Sequence, residues 1–206
     1  MIEQRTEAWF AARAGKATAS RIADIIARTK SGPSASRQAY AVQLALERIT
    51  GQREDGFTSA AMQRGTELEA EARASYEAER GELVKEVGFI DHPAIAMAGA
   101  SPDGMVGGDG LLEIKCPDSK QHLEYLRLQI VPAKYKPQVQ WQMACTARAW
   151  CDFVSYDPRF PEGLQLHIVR VQRDAEYIEE LEAEVTAFLS EVDQIVADIE
   201  QMREAA

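Results

Sequence analysis

Apolar positions recur along the chain in two rhythms, and the change from one to the other divides it. Over the first eighty residues the spacing is helical. Ile22, Ile25 and Ile26 share one face of a helix predicted over 18–27, with Thr18 or Ser20 as its cap. A second helix over 36–49 turns Tyr40, Leu44 and Ile49 inward and ends at Gly51. A third covers 59–80, is most readily interrupted at Gly65 and stops at Gly81. The run Lys30-Ser31-Gly32-Pro33-Ser34 breaks the first helix from the second, and 52–56 is a polar loop. Beyond residue 82 the pattern shortens to strands, predicted over 82–90, 96–100 and 111–116, with the Gly-rich stretch 104–110 turning the chain. Helices over 120–129 and 136–148 follow, then strands over 150–156 and 164–172. In the last helix Ile178, Leu181, Val185, Phe188, Leu189, Val192, Ile195, Val196, Ile199 and Met202 recur at spacings of three and four, with acids on the other face. The expectation is a mixed α/β protein, one domain over 1–206, with a central mixed sheet flanked by helices.

Composition agrees with this and narrows the setting. A chain of 206 residues, 46% apolar and 27% charged, is long enough for one buried core. No apolar run reaches the roughly 18 residues that span a bilayer. The first residues lack the apolar stretch of a signal peptide, so a cytoplasmic location without membrane contact is expected. Cys116, Cys145 and Cys151 show no CxxC spacing, and His92, His122 and His167 no HxxxH spacing. That argues against a disulfide framework and structural zinc, and for reduced thiols.

The net charge of −10 is at first sight wrong for a protein that handles nucleic acid. Its distribution changes the picture. From Asp174 onward eleven acids face one base, Arg203, so the remainder is neutral, with 22 acids and 22 bases. Within the first 40 residues seven bases (Arg5, Arg13, Lys16, Arg21, Arg28, Lys30 and Arg37) outnumber three acids. This stretch is the candidate phosphate-facing surface, with Lys30 among its DNA-binding candidates.

The chemistry concentrates at Ser101-Pro102-Asp103-Gly104 and Leu112-Glu113-Ile114-Lys115-Cys116-Pro117. On a strand, Glu113 and Lys115 project from the same face. The intervening turn is expected to lay the preceding strand antiparallel alongside and bring Asp103 close. A Glu-Xaa-Lys pair is by itself usually a solvated face. Here Leu111, Leu112, Ile114 and Cys116 make the strand apolar, and charges in a buried strand are costly unless paired or metal-bound. Two carboxylates suit Mg2+, which neutralises charge on a phosphodiester and acidifies a bound water. Lys115 would orient that water or assist its deprotonation, with a pKa that burial and a metal could depress. The Ile114 carbonyl reaches a metal if the strand bends.

These residues spell PD…(D/E)xK, and the sequence resembles the nuclease superfamily of that name. More closely it resembles the phage lambda exonuclease family of alkaline exonucleases, the YqaJ-like viral recombinases. Six ordered blocks over nearly the whole chain carry the resemblance. They are Ala8-Trp9…Arg13…Gly15…Thr18-Ala19-Ser20, Arg64-Gly65…Glu69…Glu71-Ala72-Arg73, the two blocks around Asp103 and Glu113, Gln138-Val139-Gln140, and Tyr156-Asp157-Pro158-Arg159. The resemblance implies a restriction-endonuclease-like core and a 5′-to-3′ exonuclease acting on linear duplex DNA with Mg2+, in two ions, Mn2+ being a possible substitute. Asp103 and Glu113 match the metal-binding carboxylates, Lys115 the catalytic lysine, Glu69 an acid beside the metals and Gln138 a glutamine that steadies the centre. Arg13, Ser20 and Ser101 match the residues that bind the 5′-terminal phosphate. A guanidinium fork with hydroxyl donors suits that anion. Met62 falls where the family places an apolar wedge that splits the terminal base pair. The resemblance further implies a homotrimeric ring and a single-strand annealing protein as partner, in a bacterial host carrying the phage or prophage.

Two positions depart from the family pattern. Gln121 stands where the family has an arginine in the phosphate pocket; either Lys120 beside it substitutes or the pocket is weaker. An aspartate ahead of Ser-Pro-Asp is matched only by Asp91, two residues out of register. The rival readings are a RecB-like or structure-specific endonuclease on the same core, which would need no terminal-phosphate pocket, and a non-catalytic DNA-binding module. Intact Asp103, Glu113 and Lys115 argue against the second.

Overall fold

A computed structural model describes residues 3–30, 32–53 and 59–205. Helix α1 (Glu7–Arg13) comes first, with the Thr6 side chain accepting from the Trp9 N–H at its cap. It buries no residue fully, which is why hydrophobic spacing does not reveal it. The helix predicted over 18–27 is three pieces: β1 (Ala17–Thr18), a 3-10 turn (Ala19–Arg21) and α2 (Ile22–Ile26). Thr18 makes no capping bond, and Arg21 rather than Ser20 stands at the cap of α2. Pairing of Ala17 and Thr18 with Ala98 and Gly99 pulls this segment into a sheet, and Tyr40 Oη accepts from the Thr18 N–H. A tiny hairpin, β2 (Arg28–Thr29) with β3 (Gly32–Pro33), precedes α3 (Ala35–Thr50). Ser34 caps α3, and Gly51 ends it in the left-handed region that glycine favours. Helix α4 (Ala60–Arg80) runs unbroken through Gly65. Residues 31 and 54–56 of the two predicted breaks lie outside the described residues.

The strand predicted over 82–90 is two short ones in different sheets, β4 (Val84–Lys85) and β5 (Ile90–Asp91). Between them the Val87 carbonyl is taken by the Gln4 side-chain amide, 2.8 Å away, instead of a neighbouring strand. Strand β6 (Ala98–Ala100) pairs with β1 and β5. It is therefore not the hairpin partner expected for the Glu113 strand. That partner is β7 (Gly104–Val106), built from the first half of the Gly-rich stretch, antiparallel to β8 (Gly110–Lys115). Helices α5 (Ser119–Leu128) and α6 (Lys136–Thr146) carry the chain over to β9 (Trp150–Tyr156) and β10 (Leu166–Gln172), and α7 (Ala175–Glu204) closes it. The five-stranded sheet has the order β10-β9-β8-β7-β4, with β8 and β9 parallel and the other pairs antiparallel.

Helices cover both faces of this mixed sheet. Ala72 and Tyr76 of α4 pack against Val106, Leu112, Ile114 and Val154. Val139, Met143 and Ala144 of α6 pack against Leu111, Cys151 and Phe153 on the other side. Alternation along β8 therefore sends Leu112 and Ile114 to α4, and Leu111, Glu113 and Lys115 to α6. A further apolar cluster joins α2, α3, α6 and α7 through Ile25, Leu44, Trp141, Val185 and Phe188. Buried Arg37 ties α3 to α7, donating to Glu191 at 2.7 Å, Glu184 at 3.2 Å and the Ile25 carbonyl. Arg28 pairs with Glu184 and Arg48 with Asp193. Part of the basic N-terminal stretch thus neutralises the acidic C-terminal helix. No helix among the described residues is long and apolar enough to cross a membrane.

The loop after β9 is fastened by Asp157, which is fully buried. Its carboxylate accepts from Ser119 Oγ at 2.6 Å, from Arg159 Nε and Nη2 at 2.8 Å and from Arg64 Nη2 at 3.2 Å. Burial alone would raise its pKa, but the hydrogen bonds from Arg159 and Ser119 outweigh this and hold it well below the usual carboxylate range. The unfolded chain therefore takes up this proton first as pH falls through about 4, so the stabilisation is present above that pH and lost below it. Urea midpoints measured from pH 7 to pH 3 should fall less steeply for Asp157→Asn than for the parent chain, from a lower starting point. Parallel curves would show that Asp157 does not carry this dependence.

Candidate active site

The β7–β8 hairpin assembles the acidic centre. Gly104 pairs with Leu112, so Asp103, one residue before, stands opposite Glu113, one residue after. The Asp103 carboxylate prolongs the ladder by accepting from the Ile114 N–H at 2.6 Å. Gly104 is required here because a Cβ would lie 2.1 Å from Val84 Cγ1, blocking the approach of β4.

Glu113 is 1% exposed, a carboxylate in the middle of the fold. Three donors meet it. Lys115 Nζ and Gln138 Nε2 both donate to Oε1, and Gln142 Nε2 donates to Oε2 at 2.6 Å. Burial and the neighbouring Glu113 push the Asp103 carboxyl well above its ordinary value. For Lys115, burial alone would lower the pKa, but Glu113 and Asp103 outweigh it and raise it. Two carboxylates against one ammonium hold the proton on Nζ. This donor set fits a divalent cation, because two hard carboxylates converge at the floor of a cleft and share one ammonium, that of Lys115, between them. Among the described residues no three His, Cys, Asp or Glu side chains close into a ready-made cage.

The cleft holds about 660 Å3, and Asp103, Glu113, Ile114, Lys115, Glu69 and Gln138 all line it. So do Arg13, Ser20, Ser101 and Met62, the last at the rim with 59% of its surface exposed. Arg13 and Trp9 both donate to Ser101 Oγ, at 3.1 and 3.0 Å, and the Arg13 guanidinium lies 4.2 Å from the Trp9 ring centroid. Burial pushes the Arg13 pKa down to about 10, which leaves it cationic at neutral pH. Glu69 is engaged by Arg5. Two candidates lie elsewhere. Lys30 is exposed beside the β2–β3 hairpin, and Lys120 is exposed on α5; neither is among the residues lining the cleft. At the departing position it is Gln121 that lines the cleft, and the nearby cations are Arg64 and Arg159. Asp91 is held by Lys16 at 2.6 Å.

Residues 8–149 match the family model described as the YqaJ-like viral recombinase domain. The chain belongs to this family. Its fold superposes with a TM-score of 0.91 on the crystal structure of an alkaline exonuclease, LHK-Exo from Laribacter hongkongensis. The two are 52% identical, over 97% of this chain and 99% of that one. A structure of LHK-Exo in complex with dAMP matches equally well. A phage-related exonuclease from Haemophilus somnus shares the fold at a TM-score of 0.73 and 19% identity, over 89% of this chain and 96% of that one. No curated protein matches the chain.

Gln142 is the residue of this centre that motif reading overlooks. The signal was present: it lies four residues after Gln138 on a helix, hence on the same face. It is fully buried, and its amide donates to Glu113 Oε2 at 2.6 Å. Gln142→Leu preserves the bulk and removes that donor. Leaving a buried carboxylate oxygen without it should lower the unfolding free energy by about 1–3 kcal/mol, measured by urea denaturation at pH 7. An unchanged midpoint would mean that Glu113 does not depend on the second amide.

Proposed function

We propose that this chain is a Mg2+-dependent exonuclease that digests one strand of linear duplex DNA from its 5′ end and leaves a 3′ single strand for annealing-type recombination. The observation that carries the reading is the half-buried Arg13, bonded to Ser101 Oγ two residues from Asp103. It puts a cation with a hydroxyl beside the acidic centre, an arrangement suited to a terminal phosphate monoester. The 52% identity to an alkaline exonuclease that has been seen with dAMP supports it.

Asp103 and Glu113 would hold Mg2+, two ions with the Ile114 carbonyl and Glu69 contributing, or Mn2+ in its place. The metal supplies Lewis acidity, neutralising charge on the phosphodiester and acidifying water. Lys115, kept as an ammonium, donates from Nζ to the attacking water or to a phosphoryl oxygen. Gln138 and Gln142 keep Glu113 in one orientation. Met62 at the rim parts the last base pair. Ser20 adds a hydroxyl to the end-phosphate pocket, and Arg64 or Arg159 offers the cation that Lys120 does not bring to the cleft. We further propose a homotrimeric ring, a single-strand annealing protein as partner and action in the cytoplasm of a bacterial host; light scattering tests the first.

The decisive comparison uses linear duplexes with 5′-phosphate or 5′-hydroxyl ends and a covalently closed circle, each with Mg2+ or EDTA. Release of nucleotides should require Mg2+ and a free end and should favour the phosphate. Arg13→Gln should reduce that preference by roughly tenfold, the worth of a charge-assisted contact. Lys115→Ala should slow release by about 10²–10³-fold while leaving end binding intact. Efficient cutting of the closed circle would replace this reading with an endonuclease.

A further inference from the structure

Next to the cleft, on the other side of Arg13, lies a second hollow of about 280 Å3. Trp9, Arg13, Ser20 and Met62 line both spaces, so they form the partition between them. Four cations line the second hollow, Arg13, Lys16, Arg21 and Arg53, against one carboxylate, Glu47. A local excess of three positive charges is unusual in a chain of net charge −10.

The pairing of these groups narrows what the hollow is for. Lys16 is matched by Asp91 at 2.6 Å and Arg21 by Asp24 at 2.5 Å. Glu47 is buried and already accepts from the Gly15 N–H at 2.7 Å and from Gln43 Nε2 at 3.0 Å. Arg13 and Arg53 have no ion-pair partner among the described residues. They are also close enough to repel, since Arg53, after burial, is among the charges that lower the Arg13 pKa. Two like charges turned toward one hollow are stabilised by an anion placed between them. Their guanidinium groups lie over aromatic rings, Arg13 over Trp9 at 4.2 Å and Arg53 over Phe10 at 4.0 Å, with Arg21 over Tyr40 at 4.1 Å alongside. A ring under each guanidinium restrains it while occupying none of its N–H donors, and a guanidinium so placed suits bidentate contact with phosphate oxygens.

We propose that this hollow is a second phosphate subsite, for the phosphate lying immediately 5′ of the one held by Arg13 and Ser101. The proposal rests on the end-phosphate reading above. Such a phosphate has two sources, an unpaired extra nucleotide at a 5′ overhang and a 5′-triphosphate. With an overhang seated in this way, the phosphate at Arg13 is an internal diester. Hydrolysis then proceeds one nucleotide further in: water oxygen bonds to phosphorus, the P–O3′ bond breaks, O3′ takes up a proton, and the first product is a dinucleotide.

The test uses three duplex ends on the same sequence: blunt with 5′-monophosphate, a one-nucleotide 5′ overhang with 5′-monophosphate, and blunt with 5′-triphosphate. Binding is followed by fluorescence anisotropy in EDTA, and the first product by chromatography in Mg2+. The parent chain should bind at least one extended end roughly tenfold more tightly than the blunt monophosphate, and Arg53→Gln should bring the ratio near one. Arg53 is exposed, so this variant keeps the fold. Preference for the overhang with a dinucleotide first product, or preference for the triphosphate, each supports the subsite and identifies its source. Equal binding of all three ends, or a preference that survives Arg53→Gln, overturns it. Because binding is read without metal, loss of nucleotide release alone would count against the exonuclease reading and not against the subsite.

Discussion

The Glu113 carboxylate sits on a strand covered by helices on both faces, and the rest of the centre is arranged around the need to keep a charge there. A carboxylate out of contact with water is tolerated only when its oxygens are satisfied. On one face of β8 the requirement is absent, and Leu112 and Ile114 meet the apolar side of α4. On the other face α6 must be mixed in character: Val139 and Met143 fill the core, while Gln138 and Gln142, four residues apart, turn their amides to Glu113. Lys115 completes the set from the same strand. The helix thus serves as core element and as ligand to the acid, so packing and site geometry cannot vary independently.

Charge is organised on a larger scale by the same logic. The acidic α7 and the basic N-terminal stretch look from composition like two poles, one outside and one facing phosphate. In the folded chain they touch. Arg28, Arg37 and Arg48 are used to hold α7, and Arg37 does so from a buried position. What remains available to an anion is a smaller and better-defined group, with Arg13 and Arg53 foremost. Net charge therefore says little about this molecule's partner, whereas the distribution of unpaired cations says a good deal.

The long helices, the strands at 150–156 and 166–172 and the shared face of Glu113 and Lys115 were legible from periodicity or from the face alternation of one strand, and the nearness of Asp103 from the turn between them. Three features were not. The segment 18–26 has helical spacing, but the sheet partner at Ala98 and Gly99 lies eighty residues away and prevails over local preference. The run 82–90 alternates like one strand, yet a side chain near the N-terminus takes the backbone carbonyl in its middle. The hairpin partner of β8 was hidden inside a glycine-rich stretch that reads as pure turn, since Gly104 is demanded by the closeness of Val84 rather than by a bend. Of the site, residues on a shared strand or helix face could be placed, while Lys30 and Lys120 could not, because charge does not reveal which way an exposed side chain points.

The parallel pairing of β8 with β9 has a consequence for how the molecule is made. Lys115 is in register with Ser155, forty residues later, and α6 lies between them in the chain. The β7–β8 hairpin can close from local contacts as it leaves the ribosome, whereas the parallel strand pair must wait for distant sequence. During that interval Glu113 is hydrated and free to rotate. Only with α6 docked are its two oxygens held by separate amides, so the hairpin by itself does not make a complete site.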